Sequence, residues 1–240
     1  MNVLVACEES QRTCIEFRKR GHNAYSNDIK KCSGGHPEWH ILDDSLSVIS
    51  GGVMRLQTGE KIEIEHWDLI IAHPPCTYLS NVNTSGHSLK KTPENRIEGL
   101  TLQRINAMSF FMEMIRANAT HIAVENPVGI MNSAFRQPDQ IIEPYMFAES
   151  TEDSENYITK RTCLWLKNLP LLKTNNLPKP NNAERFGRLA NGKARNWTEC
   201  RLSSIYRTEK TDSFTRDAYI RSKTFPGVAR AFAEQWGSIE

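Results

Sequence analysis

The apolar run Asp68-Leu69-Ile70-Ile71-Ala72 leads directly into His73-Pro74-Pro75-Cys76. Two prolines after what reads as a buried strand fix the backbone and present the next side chain at the sheet edge. A thiol there, partly exposed among polar groups, suits a covalent nucleophile; a buried structural cysteine is the plain alternative. Further along, Glu125-Asn126-Pro127 follows a second apolar run, His121-Ile122-Ala123-Val124. In a desolvated pocket a carboxyl group there has its pKa raised and can donate a proton near neutral pH. The alternative is a strand-end turn built on Asn-Pro chemistry. Glu8 and Asp28 follow earlier runs, Val3–Ala6 and His22–Ser26, in the same way.

These residues need elements that bring them together, and the spacing of apolar residues predicts them. Val3–Ala6 reads as a first strand. A helix follows, with Ile15 and Phe17 inward and Arg18, Lys19 and Arg20 outward, stopped by Gly21. His22–Ser26 reads as a second strand, 68–72 as a third and 121–124 as a fourth. Leu102–Ala117 carries Ile105, Met108, Phe111, Met112 and Ile115 at helical spacing, and Pro226 opens a last helix running to Trp236. Strands alternating with helices predict an α/β fold, a mostly parallel sheet with helices on both faces. In such sheets ligands gather at the carboxyl ends of the strands, where Glu8, Asp28, Cys76 and Glu125 fall. The chain divides into a catalytic and cofactor-binding part (1–172), an irregular insert rich in Asn, Pro, Lys and Arg (173–215), and a C-terminal helix returning to the first part (216–240). The polar stretch 81–100 reads as a loop.

Thirty basic residues against 28 acidic ones leave a net charge of +2, which argues neither for nor against nucleic acid. The C-terminal third is the basic part and includes Arg195 and Arg201; it is either a solvated face or a binding surface. The six cysteines form no Cys-x-x-Cys pair, no signal-peptide pattern opens the chain, and no apolar run reaches membrane length. Free thiols in a reducing cytosol are expected. His36 and His40 have helical metal-ligand spacing, but Pro37 and Gly34-Gly35 argue against a helix there, so no metal site is expected.

Ala72-His73-Pro74-Pro75-Cys76-Thr77 and Val124-Glu125-Asn126-Pro127 together resemble the catalytic motifs of DNA cytosine-5 methyltransferases, most closely the compact bacteriophage type. Val5–Ser10, Arg20-Gly21-His22 with Asn27-Asp28, Lys160–Leu166 and Ser222–Val228 add matching pieces in the family's order. The resemblance covers nearly the whole chain and is weakest over 173–215. It implies a Rossmann-like S-adenosylmethionine-dependent fold, a cytoplasmic location in a bacterial host, and a chain expected to act as a monomer on cytosine-containing duplex DNA.

By the family mechanism, Cys76 adds to C6 of cytosine, Glu125 bonds the N3 edge, Asn126 helps fix the carboxylate, and Arg161 stabilises charge at O2. The target base must be rotated out of the duplex. The resemblance makes 81–100 a lid with Ser80 and Asn81 as DNA contacts, and the insert a small recognition element using Arg195, Trp197 and Arg201. The donor S-adenosylmethionine is expected along Cys7, Glu8 and Ser10, at Asp28, Ile29 and Asp43, and against Pro74, Lys223 and Thr224. Two departures stand out. The first loop, Cys7-Glu8-Glu9-Ser10-Gln11, lacks the family's glycines, and Lys223-Thr224 replaces the usual Gly-Asn-Ser region. Lys223 is either a surface residue or the partner of an extra carboxylate, as on carboxy-S-adenosylmethionine, which would give carboxymethylcytosine. RNA methylation, an inactive DNA-binding relative, and a thiol hydrolase using His73 as base are the alternatives; for the last, His73 is expected to point away from Cys76.

Overall fold

The computed structural model describes residues 1–80, 97–195, 197 and 222–239. The first half runs β1 (Asn2–Ala6), α1 (Arg12–Lys19), β2 (Asn23–Asp28), β3 (His40–Leu42), α2 (Ser45–Val48), β4 (Gly52–Arg55), β5 (Lys61–Ile64) and β6 (Trp67–Ala72). The second half runs α3 (Ile97–Arg116), β7 (Ala119–Pro127), α4 (Met131–Ala134), β8 (Gln140–Ile142), β9 (Thr162–Lys167), α5 (Asn182–Phe186) and α6 (Pro226–Trp236). The seven-stranded sheet has the order β3-β2-β1-β6-β7-β9-β8, while β4 and β5 form a separate hairpin. β1, β2, β3, β6 and β7 are parallel, and β9 runs antiparallel to both β7 and β8. This is the expected α/β architecture, with β3, β4, β5 and β8 added where runs are too short to show periodicity.

The central strands are buried on both faces, which is why they read as continuous apolar runs. Alternate residues separate cleanly. Val3, Val5, Leu69, Ile71 and Ala123 face α1 and α6 through Phe17, Phe232 and Trp236. Leu4, Ile70, Ala72, Ile122 and Val124 face α3 through Phe111 and Met114. The chain winds outward from β1 to β3 and returns to start the other half at β6, so the strand order reverses between β1 and β6. A crevice opens outside the carboxyl ends at such a reversal. His73 N–H donates to the Ala6 carbonyl at 3.0 Å and closes the two strand ends together.

The final helix starts at Pro226 as predicted, its Gly227 N–H capped by Asn156 Oδ1 at 2.7 Å. The described part of the insert is tied down rather than projecting. Asn175 Nδ2 donates to the carbonyls of Tyr145 and Ala148, and Tyr157 Oη donates to the Pro178 carbonyl. Among the described residues no helix is long and apolar enough to cross a membrane.

Candidate active site

Period-2 alternation decides which side chains meet at the carboxyl edge. On β6, Ile71 faces α6 and Ala72 faces α3, so His73 returns to the α6 side. On β7 the α6 side holds Ala123 and then Glu125. The register pairs Ala72 with Val124, and Pro127 with Thr162, which brings His73, Glu125 and Thr162 onto one face. These three, with Lys160, Lys223 and Thr224, line a cleft of about 390 Å³ counted to its open mouth. Phe225, Val228 and Phe232 form its apolar wall.

His73 Nδ1 donates to Glu125 Oε2 at 3.0 Å, the two side chains being 11% and 21% exposed. The other ring nitrogen, His73 Nε2, is buried with no hydrogen-bond partner among the described residues. Burial pushes the Glu125 carboxyl up, but the His73 bond and charge, the Lys160 charge and the Thr162 bond outweigh it and hold the group below the ordinary carboxylate range. Burial alone would raise this carboxyl group; its neighbours reverse the sign. His73 stands one residue past the end of β6, where Ala72 pairs with Val124, the residue before Glu125.

Asn126 takes the opposite face and donates from Nδ2 to the Pro74 carbonyl at 2.7 Å. It therefore fixes the Pro-Pro-Cys loop and not, as expected, the Glu125 carboxylate. The Cys76 carbonyl accepts from Leu79 N–H (3.1 Å) and Ser80 N–H (2.9 Å), folding the loop into a turn. Gly129 lies against that turn so closely that a Cβ would sit 2.0 Å from the Leu79 carbonyl oxygen. Cys76 is exposed and outside the cleft lining, yet within electrostatic reach of both Glu125 and Lys160. Desolvation and the Glu125 charge raise its thiol pKa, with Lys160 pulling the other way.

Arg161 is exposed just before β9, while its neighbours Lys160 and Thr162 line the cleft beside Glu125. Trp197 is corrected: it is 2% exposed and packs on Phe225 with ring centroids 5.2 Å apart, so it is core rather than a DNA contact. Lys160 Nζ stands 5.8 Å from the Trp197 ring centroid and 5.6 Å from that of Phe225. Ser80 is 7% exposed, at a bridge with Gly129, which makes it an anchor of the Cys76 turn and not an open phosphate contact. Arg195 is half-buried with an unpartnered Nε. Asn81, Arg201 and most of the proposed lid lie outside the described residues.

At the other end of the edge, the glycine-free loop takes left-handed backbone at Cys7 and Gln11, both with φ of 59°. Non-glycine residues seldom hold that conformation. Gln11 is kept there by its own amide, which donates to Ser26 Oγ and the His36 carbonyl and accepts from His36 N–H. Glu8 is buried and accepts from Thr13 N–H (2.7 Å) and Cys14 N–H (3.2 Å), so its carboxylate fills the N-terminus of α1. Ser10 is buried beside it, and burial pushes the Cys7 thiol up to about 12. Asp28 ends β2 with Oδ1 accepting from Lys30 N–H; Ile29 is 71% exposed, and Asp43 is exposed at the end of β3. Lys223 and Thr224 do reach the cleft, and Arg12 donates to the Thr224 carbonyl at 2.8 Å. His36 stacks on Trp39 and pairs with Glu38, while both ring nitrogens of His40 are bonded, to Ser26 Oγ and the Lys30 carbonyl. No family model matches the chain, and no curated protein matches its sequence.

Proposed function

We propose that the chain is a DNA cytosine-C5 methyltransferase that holds a flipped cytosine between Cys76 and Glu125. The observation that carries this reading is the Asn126–Pro74 hydrogen bond. It ties the nucleophile's loop, after β6, to β7, the strand that carries the carboxylate, at the carboxyl edge of the parallel strands.

In this reading Cys76 adds to C6 of the base, making C5 electron-rich. Glu125, ionised at rest, accepts from the exocyclic amine; the proton given up by the Cys76 thiol as it adds is taken up by way of Glu125 onto N3 as the ring gains electrons. Lys160 takes the place expected of Arg161 and offers positive charge to the ring oxygen. After the methyl is received, the C5 proton leaves and Cys76 is expelled.

The edge residues fit S-adenosylmethionine better than a phosphate-bearing cofactor. Because Glu8 occupies the first free N–H groups of α1, no anion cradle remains at that helix, where a dinucleotide would place its phosphates. Asp28 would hold ribose hydroxyls, and the exposed Ile29 beside it would cover a purine face. When bound, this donor supplies an electrophilic methyl group on a sulfonium sulfur. Lys223, lining the cleft beside Glu125, favours one variant of the reading: a donor carrying an added carboxylate, giving carboxymethylcytosine.

Trapping tests the covalent step. Duplex DNA containing 5-fluorocytosine has no C5 proton to release, so wild-type protein with S-adenosylmethionine is expected to form a denaturation-stable adduct. Peptide mapping should place it on Cys76. An adduct on another residue, or none, contradicts the reading.

A further inference from the structure

The Glu125 carboxylate is held by the chain itself, through His73 and through Thr162. Oε2 accepts from His73 Nδ1 at 3.0 Å. A carboxylate can only accept, so Nδ1 carries the proton and a neutral ring must leave Nε2 bare. That nitrogen is buried and unpartnered among the described residues. Glu8, from the loop after β1, lies within electrostatic reach of the ring, so carboxylates at the ends of β1 and β7, the strands on either side of β6, both act on one imidazole. The other polar groups lining the cleft with it are Lys160 just before β9, Thr162 at its start, and Ser222, Lys223 and Thr224 from the segment before α6.

We propose that His73 is the positioning residue of this site. It holds Glu125 by Oε2 from Nδ1 and so fixes how the carboxylate is presented to the ligand. The role in catalysis rests on the cytosine methyltransferase reading; the pairing does not.

The test has two arms on the full chain. In the first, histidine ¹⁵N NMR follows His73 against pH in wild type and in Glu125→Ala. The neutral ring is expected in the Nδ1–H form in wild type and should lose that preference when the facing carboxylate is removed. In the second, methylation of cytosine-containing DNA is measured against pH for wild type, His73→Ala and His73→Gln. His73→Ala is expected to lower kcat about 100-fold with a smaller change in KM, as for a misplaced catalytic group. It should also move the limb that reports Glu125 to higher pH. His73→Gln, which keeps a donor, should recover part of kcat. A His73 signal indifferent to Glu125→Ala, or a limb unmoved in His73→Ala, overturns the proposal. Wild type that leaves cytosine unmodified while the His73 signal responds to Glu125→Ala would overturn the methyltransferase reading and support the pairing.

Discussion

Glu8, buried, and Glu125, half-buried, stand at the carboxyl ends of β1 and β7, the strands on either side of the one that leads into His73, and their pKa values move in opposite directions. For Glu8, burial outweighs the His73 charge and the N–H groups of Thr13 and Cys14, so its proton is held to higher pH. For Glu125, a direct imidazole bond, the Lys160 charge and Thr162 outweigh burial. Burial is common to both; the partner set decides the sign. Glu8 spends its oxygens on the backbone of α1 and so builds the loop, whereas Glu125 lines the cleft.

The largest test of that division is Glu125→Gln, expected to lower cytosine modification about 10²–10⁴-fold, the range for a group managing a proton in the transition state. Steady-state kinetics read it directly, and a change under tenfold would place the chemistry elsewhere. Glu8→Ala should appear in stability instead. It leaves two N–H groups of a buried helix end unpaired, costing about 1–3 kcal/mol for each group stranded. Chemical denaturation measures this, and an unchanged midpoint would mean the loop is held by other contacts.

The pH dependence of stability sharpens the contrast further. Glu125 is depressed in the folded state, so it contributes stability above its unfolded pKa, lost as pH falls through the folded value. Glu8 is raised, so the folded state binds its proton more tightly, and stability declines as pH rises from the unfolded pKa through the folded one. Glu125→Gln should therefore flatten the acid-side loss, and Glu8→Gln the decline on the higher-pH side, in denaturation series across pH. If both variants flatten the same side, the assignment of signs fails. The smallest effect concerns Cys76. Lys160→Met removes the charge that eases its ionisation, so iodoacetamide labelling, already shifted above the range of a free thiol, should shift to still higher pH.

Much of this site is legible in the sequence because it depends on local patterns. Apolar runs followed by Glu8, Asp28, Pro-Pro-Cys76 and Glu125 mark strand ends directly. What escaped depends on register. That His73 meets Glu125 follows from Ala72 pairing with Val124, a tertiary fact. That Lys160 rather than Arg161 lines the cleft is a tertiary placement, which a short motif cannot give. Trp197 sits in a basic, weakly periodic stretch that reads as surface, yet Phe225 and Lys160 enclose it. The first loop lacks the glycines that usually allow left-handed backbone. The structure nonetheless puts Cys7 and Gln11 in the left-handed conformation, locked by side-chain bonds no propensity rule anticipates.

The most direct measurement is nucleoside mass analysis of DNA incubated with the protein and S-adenosylmethionine, run beside Cys76→Ala. The account predicts modified cytosine with wild type and none with the variant, at the mass of 5-methylcytosine, or of carboxymethylcytosine when a carboxylated donor is supplied and Lys223 is engaged. Unmodified cytosine with wild type, or modification that survives loss of Cys76, contradicts it.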